Sequence, residues 1–186
     1  VIAMDHYIDV LLKPDAEMRE SPLMNLVYNK FHKALVKLKT DQIGVSFPEY
    51  KIKLGKVLRL HGDKNNLQNL QNLNWLGGIA GFCEISNVKN VPADVKYRAI
   101  SRIRTNMGKS KLERLKRRGS ITHSEEKIYK AKMFSQGLDN PYLDLESGST
   151  GQKHRRFIQF GHLLDQPVAG KFDSYGLSKD ATVPWF

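Results

Sequence analysis

Apolar and polar residues alternate from residue 7 to residue 12, with Ile8, Val10 and Leu12 on one side. A period of two predicts a strand with one face on a core. Lys13, Pro14 and Asp15 break it. After Ser21-Pro22 the period becomes that of a helix, with Leu23, Leu26, Val27, Phe31, Ala34, Leu35 and Leu38 on one face up to about Lys39. Ser21 is its predicted N-cap and Pro22 its first helical residue. Ile43, Val45 and Phe47 alternate with Gly44 and Ser46 in a second strand stopped by Pro48, and residues 57–61 read as a third. Asp63 is placed to cap a helix through Leu67, Leu70 and Leu73 to about Leu76, and a weaker strand covers 82–88. The order β-α-β-β-α-β predicts an N-terminal ferredoxin-like domain over residues 1–91, a fold that hosts many functions.

Residues 89–96, with Asn90 and Pro92, read as a joint. A second, smaller α+β domain is expected over 92–186. Its first strand, 97–105, puts Arg102 and Arg104 on one face. A helix over about 109–118 ends at Gly119, and Thr122 with Glu125 fits a capping box for a helix to about Gln136. Strands at 142–146 and 154–160 flank a loop at 147–153. Residues 172–186 offer one short strand, then GLSK, then an apolar PWF end expected to pack down.

Charge sharpens this picture. The chain has a formal net charge of +11. Residues 1–94 hold 12 Lys+Arg against 10 Asp+Glu, whereas residues 95–186 hold 18 against 9. The stretch KSKLERLKRR, 109–118, has six basic residues and one acid. On a helix Lys111, Arg114 and Arg118 stack along one side with Arg117 beside them. Such a ridge repels itself, so a polyanion is its natural counterweight; nucleic acid is the expected partner. The helix lacks the broad apolar face of a membrane-surface helix, and no apolar run approaches the length of a span. No membrane partner is expected. Met4 reads as a natural start, no signal peptide precedes it, and a soluble cytoplasmic protein is expected. The single cysteine, Cys83, excludes an internal disulfide and a cysteine-rich zinc site.

No phosphate-binding GxxxxGK[ST], dinucleotide GxGxxG or HExxH motif is present. The six histidines lack metal-ligand spacing and the carboxylates do not cluster, so no metal and no cofactor is expected. A nuclease of this composition has to work without metal, which RNA permits because its own 2′-hydroxyl can attack the adjacent phosphate. It needs a base, a group to orient the base, and donors near the phosphate. Imidazole, with an ordinary pKa of about 6.5, suits the base. At about 100° per residue His32 lies roughly 140° from the centre of its helix's apolar stripe, so it is either a site residue or an ordinary surface histidine. Tyr175 is either an orienting ring or a packed strand tyrosine. The loop Ser147-Gly-Ser-Thr-Gly-Gln152 is either a phosphate cradle or a plain turn. Spacing alone does not bring the three together.

Six blocks in order carry a resemblance: MDHYIDVLLKPD at 4–15, FHKAL around His32, IGVSFP at 43–48, YRAISR at 97–102, STGQ at 149–152, and YGLSK with VPWF at the end. Together they resemble the CRISPR repeat-processing endoribonucleases of subtype I-F, in the Cas-six family. The resemblance implies a ferredoxin-like domain followed by a domain whose arginine-rich helix enters the major groove of a repeat hairpin. It implies one metal-independent cut at the 3′ base of the stem, leaving a 2′,3′-cyclic phosphate and a 5′-hydroxyl. The product stays bound, and the protein joins the other subunits of the type I-F surveillance complex. By motif, the resemblance implies that His32 falls at the general base or proton-transfer group, Ser147 at the group positioning the 2′-hydroxyl, and Tyr175 at the ring that orients the histidine. Ser149 and Thr150 line the same loop. Arg102 falls where a stem base is read, and Arg104 replaces a glutamine of one member, favouring guanine. His154 stands where an aromatic stacks on the terminal base pair. Lys111, Arg114, Arg117 and Arg118 complete the implied RNA surface. A catalytically inactive hairpin-binding subunit and a ribosomal-type RNA-binding protein are the alternatives that composition leaves open.

Overall fold

The computed structural model describes residues 4–104 and 107–186. Its first half follows the expected order: β1 (His6–Leu12), α1 (Glu20–Leu38), β2 (Gly44–Ser46), β3 (Val57–Gly62), α2 (Lys64–Gln71) and β4 (Cys83–Ile85). The strands lie antiparallel in the order β2-β3-β1-β4, and β5 (Lys89–Asn90) pairs with the start of β1. Pairing runs from His6 opposite Gly62 to Leu11 opposite Val57, which sends Ile8, Val10, Leu12, Leu58 and Leu60 into one core with the inner faces of α1 and α2.

Three features differ from expectation. Helix α1 starts at Glu20, with Arg19 rather than Ser21 at the cap position and no side-chain cap bond. Ser21 and Pro22 sit inside the first turn, where backbone N–H groups have no helical partner and proline costs little. The buried stripe of α1 is also rotated: Met24 and Tyr28 are buried while Leu26 is 39% exposed. Tyr28 can be buried because its hydroxyl donates to the Tyr175 carbonyl. Helix α2, capped by Asp63 as expected, ends at Gln71 rather than near Leu76. Asn74 is left-handed, with φ 50°, and a 3-10 turn over Gly77–Phe82 leads into β4.

The back of the sheet is covered by the end of the chain. A Cβ on Gly44 would lie 2.6 Å from the Phe172 ring and 2.7 Å from Val183, so only glycine admits that close layer. Arg59 holds Asp9 through two nitrogens, at 2.7 and 3.0 Å, and donates to the Phe186 carbonyl. Its guanidinium also lies 4.0 Å from the centre of the Phe186 ring. The PWF end thus packs down as expected.

His61 is sealed under this layer, with no exposed surface. Its Nε2 lies 2.7 Å from Ser46 Oγ, and its Nδ1 has no partner among the described residues. Burial, and then the nearby Arg59 cation, push its pKa down to about 3. The unfolded chain therefore binds a proton here that the folded chain refuses between about pH 6.5 and about pH 3. Stability present above pH 6.5 is lost as pH falls through that window, by roughly 4–5 kcal/mol at most. Urea midpoints measured against pH should fall less steeply for His61→Gln than for the wild type; parallel curves would remove His61 as the cause.

In the second half, the strand expected over 97–105 is two. β6 (Lys96–Arg98) pairs with the chain's last strand, and β7 (Ile100–Arg102) pairs with β9. The partner changes at Ala99, whose carbonyl accepts from Gly161 N–H at 2.8 Å. Thr105 lies outside the described residues. Helices α3 (Lys109–Arg117) and α4 (His123–Ser135) follow, and Thr122 and Glu125 form both bonds of the predicted capping box. β8 (Tyr142–Glu146) and β9 (Lys153–Phe160) form a hairpin. The final strand, β10 (Val183–Trp185), lies after GLSK rather than before it. The segment at 173–177 is instead a turn, because the Asp173 carboxylate accepts from the N–H groups of Tyr175 and Leu177. Ile100, Leu143, Leu145 and Ile158 join the same apolar cluster as the first half. No helix among the described residues is long and apolar enough to cross a membrane.

Candidate active site

Helix α1 carries the candidate side chain, His32, at the edge of the buried stripe. The burial of Tyr28 draws that stripe toward His32, leaving the histidine about 110° from its centre. His32 is half-buried, and its ring lies face to face on Tyr175, with centroids 3.7 Å apart and planes 4° from parallel. His32 Nδ1 is 2.7 Å from the Ser174 carbonyl. A carbonyl only accepts, so Nδ1 carries the hydrogen. The other ring nitrogen, Nε2, has no hydrogen-bond partner among the described residues and is the position free to accept a proton.

Tyr175 is held by the turn that sequence periodicity reads as a strand. Gly176 has φ 69°, and its carbonyl accepts from Val45 N–H at 3.0 Å. A Cβ there would lie 2.8 Å from Val45 and 3.1 Å from the Phe31 ring. Gly176→Ala is therefore expected to lose about 1–3 kcal/mol of stability and to separate the two rings. Thermal melting and the His32 imidazole chemical shifts check this; an unshifted imidazole would mean the turn adapts.

His32 and Tyr175 share a cleft of about 460 Å³ with Ser147, Ser149, His154 and Arg156. Ser147 Oγ is 3.2 Å from Ser149 Oγ. The loop is closed by bonds of 2.8 Å from Ser147 N–H to the Gln152 carbonyl and from Gly151 N–H to the Ser147 carbonyl. Thr150 is exposed and is not part of the cleft wall; its hydroxyl is 3.4 Å from Gln152 N–H and braces the loop. Burial, then the cations of Arg156 and Arg102, lower the His154 pKa, which favours a neutral ring at pH 7.

Arg102 and Arg104 lie instead in a neighbouring cleft of about 800 Å³, between β7 and the two helices, with Lys109 and Arg155. Strand β9 separates the two clefts by alternation: His154 and Arg156 face the first, Arg155 and Phe157 the second. On α3 only Leu112 is buried. Lys111, Arg114, Arg117 and Arg118 are exposed and take part in no ion pair among the described residues, whereas Lys116 pairs with Glu126 at 3.3 Å and Glu113 at 3.7 Å. The ridge read from the sequence is thus present and unneutralised.

Sequence reasoning missed Arg156. It is 7% exposed, and its guanidinium lies 3.9 Å from the centre of the Tyr175 ring. The signal was there: it is an arginine in phase with Ile158 and Phe160, on the inward side of a strand.

The profile of the family described as CRISPR-associated protein (Cas_Csy4) matches residues 7–186. The chain is 38% identical over 190 residues to the CRISPR-associated endonuclease Cas6/Csy4 of Pseudomonas aeruginosa (strain UCBPP-PA14), covering 98% of this chain and all of that protein. It is 37% identical over 187 residues to the protein of the same name from Escherichia coli (strain UTI89 / UPEC), at the same coverage. Among solved structures, the CRISPR endoribonuclease Cse3 bound to a 19-nucleotide RNA aligns over 97% of this chain and 100% of its own, with TM-score 0.36 and 14% identity, too distant to add to the argument. A profile matched almost from end to end, and relatives matched over their full length, assign the chain to the CRISPR-associated Cas_Csy4 family.

Proposed function

We propose that this protein is an endoribonuclease that binds the hairpin of a CRISPR repeat RNA and cuts once at the 3′ base of the stem, without metal. In this reading the ferredoxin-like half, residues 1–91, supplies His32, and residues 92–186 supply the RNA-binding surface. The observation that carries it is the imidazole stacked on Tyr175, with Nδ1 committed to Ser174, Nε2 outside any hydrogen bond among the described residues, and the serine loop lining the same cleft. That arrangement holds one ring nitrogen ready to accept a proton.

His32 Nε2 takes the proton of the 2′-hydroxyl upstream of the cut, which Ser147 positions. The 2′-oxygen bonds to phosphorus and the bond to the 5′-oxygen breaks. That oxygen leaves as the 5′-hydroxyl after gaining a proton, and the phosphate remains as a 2′,3′-cyclic ester. Ser149 and Thr150 support the loop around the phosphate, and a neutral His154 stacks on the terminal base pair. Arg102 and Arg104 read purine edges near the base of the stem, while Lys111, Arg114, Arg117 and Arg118 follow the backbone. Regular A-form RNA closes its major groove to side chains, so the helix enters where the short stem opens into its loop. The product hairpin stays bound and docks the protein among the other subunits of a type I-F surveillance complex, in the cytoplasm.

Incubation with the cognate repeat RNA in excess EDTA tests the reading. The expected products are one 5′-hydroxyl fragment and one fragment ending in a cyclic phosphate. Binding without cleavage would leave the protein an inactive hairpin-binding subunit, and loss of cleavage in EDTA would point to metal-activated water.

A further inference from the structure

Arg156 occupies an unusual position for an arginine. It is almost fully buried, yet no ion pair or hydrogen bond satisfies its guanidinium among the described residues. Its Nε is sealed from solvent without a partner. The stacked imidazole already covers one face of Tyr175, so the guanidinium, 3.9 Å from the same ring's centre, must cover the other. His32, Tyr175 and Arg156 therefore form a three-layer stack at the wall of the cleft. The charges around it do not cancel. Arg102 opposes it, and the one carboxylate that acts on it among the described residues, Asp173, is committed to the backbone of Tyr175 and Leu177. Glu146 lines the same cleft but makes no ion pair with it. A desolvated cation with a second cation close by and no carboxylate partner is unfavourable in the free protein. An anion entering the cleft removes that penalty, and a guanidinium suits the paired oxygens of a phosphate.

We propose that Arg156 is a catalytic residue: from the far side of Tyr175 its terminal nitrogens donate to a non-bridging oxygen of the phosphodiester being cut, and they oppose the charge that grows there as the 2′-oxygen attacks. The proposal rests on the reading of this cleft as the cleavage site. Arg156 breaks no bond and moves no proton. Its contribution is a fixed donor pair in a poorly hydrated wall, where such donors act most strongly on a developing charge.

Two variants separate charge from packing. Arg156→Met keeps an unbranched side chain against Tyr175 but removes the cation; Arg156→Lys keeps the cation but not the fork. Single-turnover cleavage of the repeat hairpin is expected to fall by about 10²–10³ for Arg156→Met, with partial recovery in Arg156→Lys. The salt dependence of hairpin binding should flatten by the share of one phosphate, a log–log slope smaller by about 0.7–0.9. Wild type and His32→Ala are run beside them. If the wild type cuts and Arg156→Met cuts equally fast, the proposal fails while the function stands. If the wild type does not cut, the functional reading fails and the catalytic role of Arg156 falls with it, whereas an unchanged slope beside an active wild type overturns the phosphate contact alone. If Arg156→Met melts early, Arg156→Lys carries the test, since a packing role would leave its rate as low as the methionine variant's.

Discussion

Replacing His32 with alanine is expected to slow cleavage of the cognate hairpin by about 10²–10⁴, the usual contribution of a positioned acid or base, while leaving hairpin affinity within a few-fold of wild type. The two effects separate because the protein keeps the two tasks on different elements. His32 sits on α1 with its ring on Tyr175, whereas Lys111, Arg114, Arg117 and Arg118, outside any ion pair among the described residues, sit on α3, and Arg102 and Arg104 line the cleft between β7 and the helices. In the proposed reading, removing the imidazole takes away the proton acceptor, Nε2, and touches none of the basic side chains assigned to the RNA. The substitution site is half-buried at the edge of the core, and alanine is a good helix former, so α1 should persist. A substrate with a single 2′-deoxy nucleotide upstream of the cut should bind the wild-type protein and resist it. Cleavage of that substrate would show that the nucleophile is not the RNA's own hydroxyl, and wild-type cleavage by His32→Ala would remove His32 as the base.

The second large effect is electrostatic. The triple substitution of Arg114, Arg117 and Arg118 by alanine is expected to flatten the log–log salt dependence of hairpin binding by about 2–3, near 0.9 for each phosphate no longer neutralised. All three side chains are exposed and outside any ion pair among the described residues, so the folded protein loses little by their removal. Lys116→Ala is the internal comparison. The Glu126 carboxylate, and then Glu113, raise the Lys116 pKa and occupy its charge within the protein. It should change the slope far less than any one of the three arginines. Equal slopes for wild type and triple variant would make α3 a solvated face with no part in binding.

Much of this protein follows from local chemistry, which is why it could be read without coordinates. The period of two in β1, the Asp63 cap of α2, the Thr122–Glu125 capping box and the unmatched cations of α3 all depend on neighbours a few residues away. Local rules set them and tertiary packing did not override them. The order of elements in the first half followed in the same way.

What sequence periodicity misread is what distant residues decide. Tyr28 entered the core and Leu26 left it because the Tyr175 carbonyl, 147 residues away, accepts the phenol's hydrogen. Residues 96–102 divided at Ala99 because two different strands, β10 and β9, pair with them on either side of it. The segment around Tyr175 became a turn, not a strand, because Asp173 caps its amides and Gly176 passes too close to Val45 for any side chain. The candidate site depends entirely on such long-range packing. Sequence alone determined the residue types, a histidine off the apolar stripe, a hydroxyl-rich loop and a basic helix, and the resemblance ordered them into roles. Only the tertiary structure decided that the His32 and Tyr175 rings stack, which imidazole nitrogen is committed, and that Arg156 lies beside them without a carboxylate partner among the described residues. The contacts of His32 with Ser174 and Tyr175 join chain positions more than a hundred residues apart, and no local propensity encodes a distance of that kind.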